Sequence, residues 1–332
     1  MPVIVVDAGG TYLRFGVADD AGELHMYSRR RIPNSQSYFG CPSVWESIVE
    51  WTTRYVREVE CEVQTGDAIA LALPGPIVDG RRLVAAPTIT GRYQSLPDIA
   101  GALATETGRK IYLLNDVSAA AWYLSEHLDA QRFFVVTVSS GIGGKLFDRR
   151  HPEGVFDSPE YAGEIGHIVV ELEPDAPRCD CGGRGHLGGI SSGRGTELLA
   201  RRLARTESEW FGNSAIGRRF VEPELITNEE HLVPAALRGD RWALSVIERA
   251  ARPLAQVLSV LTASLGLDRI VVIGGFAQRL GAAYKNALCT NMSELLSARA
   301  FARVADDLVC VWNDGEEVCL AGAATFYQAR CA

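Results

Sequence analysis

Asp116 closes a short apolar run, 111–114, that ends at Asn115, and it opens an alanine-rich stretch, 117–127. A carboxylate at a strand-to-helix junction stands where α/β proteins present functional side chains. Phosphoryl transfer to an alcohol asks for such a group, because something must accept the hydroxyl proton while positioning and electrostatics do the rest. Asn115 adds a donor and an acceptor suited to polyol hydroxyls. Asp is also a common helix N-cap, so the junction alone is compatible with a purely structural role. The surrounding motifs favour the base.

Two glycine turns flank this acid in the sequence. The first is Asp7-Ala8-Gly9-Gly10-Thr11, after the β-branched run 3–6. Gly9 and Gly10 leave backbone N–H groups open to phosphate oxygens, and Thr11 adds a hydroxyl. Asp7 is placed to orient the Mg²⁺ that travels with ATP, through water. The second turn, Ser139-Ser140-Gly141-Ile142-Gly143-Gly144, follows the run 133–138 and leads into Lys145. Either turn alone fits an ordinary hairpin. Together, with a strand-end acid between them, they indicate a nucleotide clamped between two lobes.

A third cluster carries metal-ligand chemistry. Gly163-Glu164-Ile165-Gly166-His167 is followed by Cys179-Asp180-Cys181-Gly-Gly-Arg-Gly-His186. Two imidazoles and two thiolates within 20 residues of glycine-rich chain suit a tetrahedral Zn²⁺ site. The bland alternative is hydrogen-bonded histidines beside free thiols.

The elements that must position these groups are legible in outline. Strands are expected over 3–6, 13–17, 68–73, 111–114, 133–138, 145–148 and 269–273, and helices over 42–60, 97–107, 117–127, 240–265 and 318–328. Residues 171–195, rich in Gly, Pro and Cys, are expected to be largely loop. The strand–turn–strand unit at the start recurs about 130 residues on, which suggests one such unit per lobe. A chain of 332 residues exceeds the ~250 at which single cores stop growing, so two domains are expected. A net charge of −8 opposes non-specific attraction to nucleic acid or anionic membrane. No apolar run reaches the ~18 residues of a membrane span, and the start lacks the features of a signal peptide. Six of the eight cysteines are scattered and only Cys179 and Cys181 are closely spaced, as in reducing compartments. A soluble cytoplasmic protein is expected.

Taken together these motifs resemble the ROK family of sugar kinases and related regulators. The resemblance covers nearly the whole chain: Asp7-x-Gly9-Gly10-Thr11, Leu73-Pro74-Gly75-Pro76, Asn115-Asp116, Gly141-Ile142-Gly143-Gly144, Gly163-Glu164-x-Gly166-His167, the cysteine loop, Ser192-Gly193 and Ile273-Gly274-Gly275. It implies an α/β, actin-like (ribonuclease H-like) fold with an interlobe cleft, a small lobe of 1–117 plus about 312–332, and a large lobe of 118–311 with a zinc-binding loop. It implies Asp116 as general base, with Gly75, Thr88, Asn115, Glu164 and His167 at the sugar. Ser140, Gly141, Gly143, Gly193, Gly274 and Gly275 then line the nucleotide side. ATP, Mg²⁺ and a structural Zn²⁺ are the implied cofactors, and a homodimer the implied assembly. The reaction implied is transfer to a C6-type hydroxymethyl of a hexose, amino sugar or sugar-like cyclitol.

Three departures from the family pattern stand out. His186 replaces the third zinc cysteine, which leaves a Cys₂His₂ set. Gly188 stands where a glutamate normally grips hydroxyls near the anomeric centre, and it cannot supply that glutamate's charge-assisted hydrogen bonds. A substrate other than plain glucose is therefore expected, such as an amino sugar or a cyclitol. Lys145 replaces a glycine and either contacts phosphate as a point charge or points to solvent. The competing functions are a sugar-sensing regulator and an inactive sugar-binding homologue. The first is disfavoured by the phosphate strand starting within a few residues of Met1, the second by retention of Asp7, Asp116 and both turns.

Overall fold

The computed structural model describes residues 1–9, 12–32, 43–86, 89, 96–219, 222–296, 304–313 and 317–331. Its strands are β1 (Val3–Ala8), β2 (Tyr12–Ala18), β3 (Leu24–Arg31), β4 (Ala68–Leu73), β5 (Ile77–Val78), β6 (Arg82–Leu83), β7 (Lys110–Asn115), β8 (Arg132–Val138), β9 (Ile142–Asp148), β10 (Arg269–Ile273) and β11 (Val309–Val311). Its longer helices are α1 (Ser43–Glu60), α2 (Ile99–Thr107), α3 (Asp116–His127), α4 (Gly193–Thr206), α5 (Arg241–Leu265), α6 (Ala282–Leu295) and α7 (Val318–Arg330). They group into two compact units: Met1–Asp129 with Lys145–Gly163 and Asp314–Ala332, and Ala130–Gly144 with Glu164–Asn313.

The first unit is built on a five-stranded sheet in the order β3-β2-β1-β4-β7, with β1, β4 and β7 parallel and β2 and β3 antiparallel. Successive side chains of a strand point to opposite faces, and here both faces are covered. Ile4, Val6, Leu13, Phe15, Ile69 and Leu71 pack with Trp45 and Ile48 of α1 and Ile99 and Leu103 of α2. Val3, Val5, Ala68, Ala70 and Ala72 pack with Ala119 of α3 and Leu320, Ala323 and Ala324 of α7. The second face is lined by small residues for a steric reason. A Cβ at Gly322 would lie 1.8 Å from the carbonyl oxygen of Ala119, so α3 and α7 meet backbone to backbone. That contact holds the start of α3, and with it Asp116, over the ends of β4 and β7.

The same contact moves a boundary. The small lobe expected to stop at 117 takes in all of α3 as well as 145–163. Trp122 of α3 makes edge contacts with Phe147 (5.3 Å between centroids) and with Phe326 of α7 (6.2 Å). Both segments therefore pack with this unit.

A four-stranded sheet runs in the order β11-β10-β8-β9, with β10 parallel to β8 and β11, and belongs to the second unit except for Lys145–Asp148 of β9. Helix α5 buries Trp242, Val246, Ile247, Ala250, Leu254 and Leu258 at helical spacing, begins on an Asp240 cap and ends at Gly266 with φ +61°. Helices α4 and α6 pack along it.

The expectation that 171–195 is largely loop holds for 171–186, and its end is helical. Leu187–Ser191 is a helical turn, and α4 starts at Gly193. The glycines that suggested a loop serve close packing: a Cβ at Gly195 would meet the Ile190 carbonyl at 2.5 Å, and one at Gly189 the Arg178 oxygen at 3.2 Å.

Candidate active site

In the first unit Asp116 is the first residue of α3, but it is not the cap. Asn115 is: its Oδ1 accepts the N–H groups of Val117 (2.9 Å) and Ser118 (3.2 Å), while its Nδ2 donates to the Gly75 carbonyl (3.0 Å). Asp116 takes the Val117 N–H at 2.8 Å through Oδ1 and stays half-buried. The structural alternative for Asp116 is thus filled by its neighbour. Asn115 is buried and committed to the backbone, so its main visible work is to lock the junction. Gly75 holds its end of that lock with φ +114°, and a Cβ there would sit 1.8 Å from the Ala85 oxygen. No other residue type fits at that position.

Asp7 lies at the end of β1, 3% exposed, paired with Arg14 Nη1 at 2.9 Å. Burial raises its pKa above the ordinary carboxylate range, and the Arg14 charge works against that rise. Gly9 N–H bonds to the Tyr12 carbonyl at 3.0 Å, which closes the first glycine turn. Gly10, Thr11 and Thr88 lie outside the described residues. Cys319, at the start of α7, ties the two acids together. Burial pushes its thiol well up, and the charges of Asp7 and then Asp116 push further. Both carboxylates therefore lie within electrostatic reach of one point. Nothing in the sequence announced Cys319, because its place depends on α7 returning from the far end of the chain.

Lys145 does not point to solvent. Its side chain is 5% exposed, and its ammonium donates to Asp157 and to the Ala162 carbonyl.

In the second unit three glycine segments expected at the nucleotide converge. Gly193 N–H bonds to the Ser139 carbonyl at 2.8 Å, and a Cβ there would crowd that oxygen at 2.9 Å. Gly274, with φ +99°, lies against Val138, where a Cβ would be 2.7 Å from both N and O. Gly141 and Gly275 face open space, and Gly143 meets only a methyl of Thr137 at 3.7 Å. Arg194 Nε donates to the Ser140 carbonyl at 2.8 Å, which fixes the turn. The result is a wall of bare backbone, of a kind that can admit close approach of an anionic ligand.

The Glu164–His167 segment abuts the same turn, since a Cβ at Gly166 would lie 2.1 Å from the Ile142 oxygen. Position 188 is next to it, with its Cβ direction 3.1 Å from the Gly166 oxygen. Glu164 reaches His167 Nε2 at 3.8 Å. One ligand atom from each of His167, Cys179, Cys181 and His186 lies within 4.8 Å of the others. Cys181 Sγ is 3.2 Å from His186 Nδ1, and Cys179 Sγ is 3.9 Å from His167 Nδ1. Tetrahedral bonds of ~2.3 Å to sulfur and ~2.0 Å to nitrogen place ligand atoms about 3.3–3.8 Å apart, so the set fits zinc after a small contraction. The loop is shaped for the imidazole: a Cβ at Gly183 would be 2.3 Å from His186 Cε1. Burial and then the neighbouring His167 lower the His186 pKa, which favours the neutral, ligating form.

Residues 3–330 match the model of the ROK family. A C(7)-cyclitol 7-kinase of Streptomyces hygroscopicus subsp. limoneus is 33% identical, over 99% of this chain and 94% of its own. A 2-epi-5-epi-valiolone 7-kinase of Actinoplanes sp. is 30% identical, over 86% and 81%. The crystal structure of a ROK hexokinase from Thermus thermophilus matches with a TM-score of 0.70 at 29% identity, covering 98% and 97%.

Proposed function

The chain belongs to the ROK family, and from that membership we propose that it is an ATP-dependent kinase for the exocyclic hydroxymethyl of a C(7)-cyclitol. Its fold is the actin-like α/β fold of the sugar kinases. The observation that supports the reading is the junction itself: Asn115 caps α3 and is tied to the Gly75 carbonyl, which fixes Asp116 as the first helical residue at the end of β7.

In the proposed reaction Asp116 accepts the hydroxyl proton as the oxygen attacks the terminal phosphorus of ATP and ADP departs. The backbone around Gly9, Gly10 and Thr11, with Ser140, Gly141 and Gly143, holds phosphate oxygens. Gly193, Gly274 and Gly275 admit the nucleoside. Asp7 would help hold the Mg²⁺ that accompanies ATP, which would supply charge neutralisation of the phosphates, and its ion pair with Arg14 keeps the end of β1 in place. Glu164 and His167 contact substrate hydroxyls. Thr88 is proposed there by family resemblance alone. His167, Cys179, Cys181 and His186 would hold Zn²⁺, which would brace the loop carrying His167 and perform no chemistry. A cytoplasmic homodimer completes the proposal; size-exclusion chromatography with light scattering checks the assembly. No helix among the described residues is long and apolar enough to cross a membrane.

The substrate choice rests on Gly188. A cyclitol has no ring oxygen and no anomeric centre, so it loses little when a glutamate there is missing. A panel of 2-epi-5-epi-valiolone, N-acetylmannosamine and glucose, followed by coupled ADP release, should give the cyclitol the highest kcat/KM. Glucose in first place would overturn the choice.

The reverse substitution sharpens the test. Gly188→Glu would restore hydrogen bonds worth on the order of 1.5–3 kcal/mol. Part of that is offset because the new Cβ meets the Gly166 oxygen at 3.1 Å. The ratio of kcat/KM for glucose to that for the cyclitol should rise about tenfold, which corresponds to ~1.4 kcal/mol. An unchanged ratio would remove position 188 from the specificity argument.

A further inference from the structure

Lys145 is the first residue after the second glycine turn, and its burial is unusual for a lysine. The ammonium is held by Asp157 Oδ1 and, at 2.8 Å, by the Ala162 carbonyl. The other oxygen of Asp157 takes the hydroxyl hydrogen of Ser118. Ser118 is 1% exposed and lies in the first turn of α3, two residues after Asp116. Its own N–H is one of the two that Asn115 caps. A continuous path of hydrogen bonds thus runs from the strand leaving the phosphate turn, through one carboxylate, to the turn of helix that carries the base.

The fold by itself gives no reason for this path. Burying an ion pair is at best a weak source of stability, and an apolar side chain of similar volume often does as well. What a partly buried network of linked hydrogen bonds does provide is a more closely fixed geometry, here with Lys145 and Ser118 buried and Asp157 about one third exposed. A base displaced by about 1 Å loses on the order of 10²-fold in rate, so fixing the first turn of α3 bears directly on turnover. The link through Ala162 also orders the segment that leads two residues later into Glu164.

We infer that Lys145, Asp157 and Ser118 are positioning residues that set Asp116 relative to the strand leaving the second glycine turn. The inference rests on the reading of Asp116 as the base. None of the three contacts the nucleotide in this scheme.

The test compares full-length wild type with Lys145→Met, Lys145→Arg, Asp157→Asn, Ser118→Ala, the Lys145→Met/Asp157→Asn double variant and Asp116→Asn. ATP is the donor, and the acceptor is whichever of 2-epi-5-epi-valiolone, N-acetylmannosamine and glucose wild type uses best. Lys145→Met should lower kcat about tenfold with KM for ATP held within about twofold, and Lys145→Arg should recover part of the loss. The double variant should be no worse than the poorer single, because the three groups act as one unit. Ser118→Ala removes only a hydroxyl and should lower kcat about threefold, so the test survives a Lys145→Met protein that fails to fold. An unchanged kcat in Ser118→Ala overturns the inference, whatever happens to its melting temperature. So does a raised KM for ATP at constant kcat in Lys145→Met, which would make Lys145 a phosphate contact. Asp116→Asn separates the two ideas: if it turns over normally, the base assignment has failed. If it is inactive while the other variants keep their kcat, only the positioning role has failed.

Discussion

Asp116→Asn lowers kcat by roughly 10³-fold, within the 10²–10⁴ that a positioned general base contributes, while the dissociation constant for ATP stays unchanged. The two parts of this expectation come from separate observations. Asn keeps the shape of Asp and can still accept the Val117 N–H that Asp116 Oδ1 takes at 2.8 Å. The helix start does not depend on it, since Asn115 supplies the cap and reaches back to Gly75. Stability should therefore move by less than about 1 kcal/mol, as for other substitutions outside a core. The nucleotide groups expected around Gly141, Gly193 and Gly274 are backbone and belong to a different unit of the chain. What the variant loses is the ability to take a proton. Steady-state kinetics with equilibrium binding of a non-hydrolysable ATP analogue measures both halves. Unchanged turnover would show that the hydroxyl finds its proton acceptor elsewhere.

The contrast between Asp116 and Lys145 shows what one sequence can disclose. The place of Asp116 at the junction was legible because its context is local: an apolar strand ends, a helix begins, and the acid sits at the join. The strand runs 68–73 and 269–273 were legible for the same reason, since period and punctuation suffice. Lys145 was not. Its partner, Asp157, lies twelve residues further on, beyond the end of β9, and the two meet through a tertiary contact with no sequence period. The glycines from 188 to 195 hid the helical end of the stretch 171–195 for a related reason. Gly183, Gly189 and Gly195 are there for close approach to an imidazole ring and to backbone, and composition cannot separate that use from a flexible loop. Cys319 joins the neighbourhood of Asp7 and Asp116 only because α7 packs on β1 and α3.

Purified protein should contain about one zinc per chain, and Cys181→Ser or His186→Ala should release it with a loss of stability near 3 kcal/mol. That magnitude follows from linkage: a ligand held at a free concentration about 100-fold above its Kd stabilises by ~2.7 kcal/mol. For a cooperative unit of 150–250 residues this corresponds to a fall in Tm of roughly 6–12 °C. The cost should concentrate in one loop, because the four ligands are joined to the rest by specific links. Val169 bridges His186, Leu187 N–H bonds to the Ile168 carbonyl at 2.8 Å, and Cys179 N–H bonds to the Gly183 carbonyl at 2.8 Å. Loosening that loop frees the His167 ring and removes the support for Glu164 beside it, so KM for the acceptor should rise about tenfold or more while KM for ATP holds. Elemental analysis, thermal melts with and without chelator, and the two KM values measure these outcomes together. His186→Cys is the informative companion, since it supplies a thiolate where Gly183 already leaves room. It should retain the metal and keep the acceptor KM near the wild-type value. Zinc-free wild-type protein with a normal acceptor KM would mean that hydrogen bonds alone hold the loop, and that the two sulfurs and two imidazoles are together for packing.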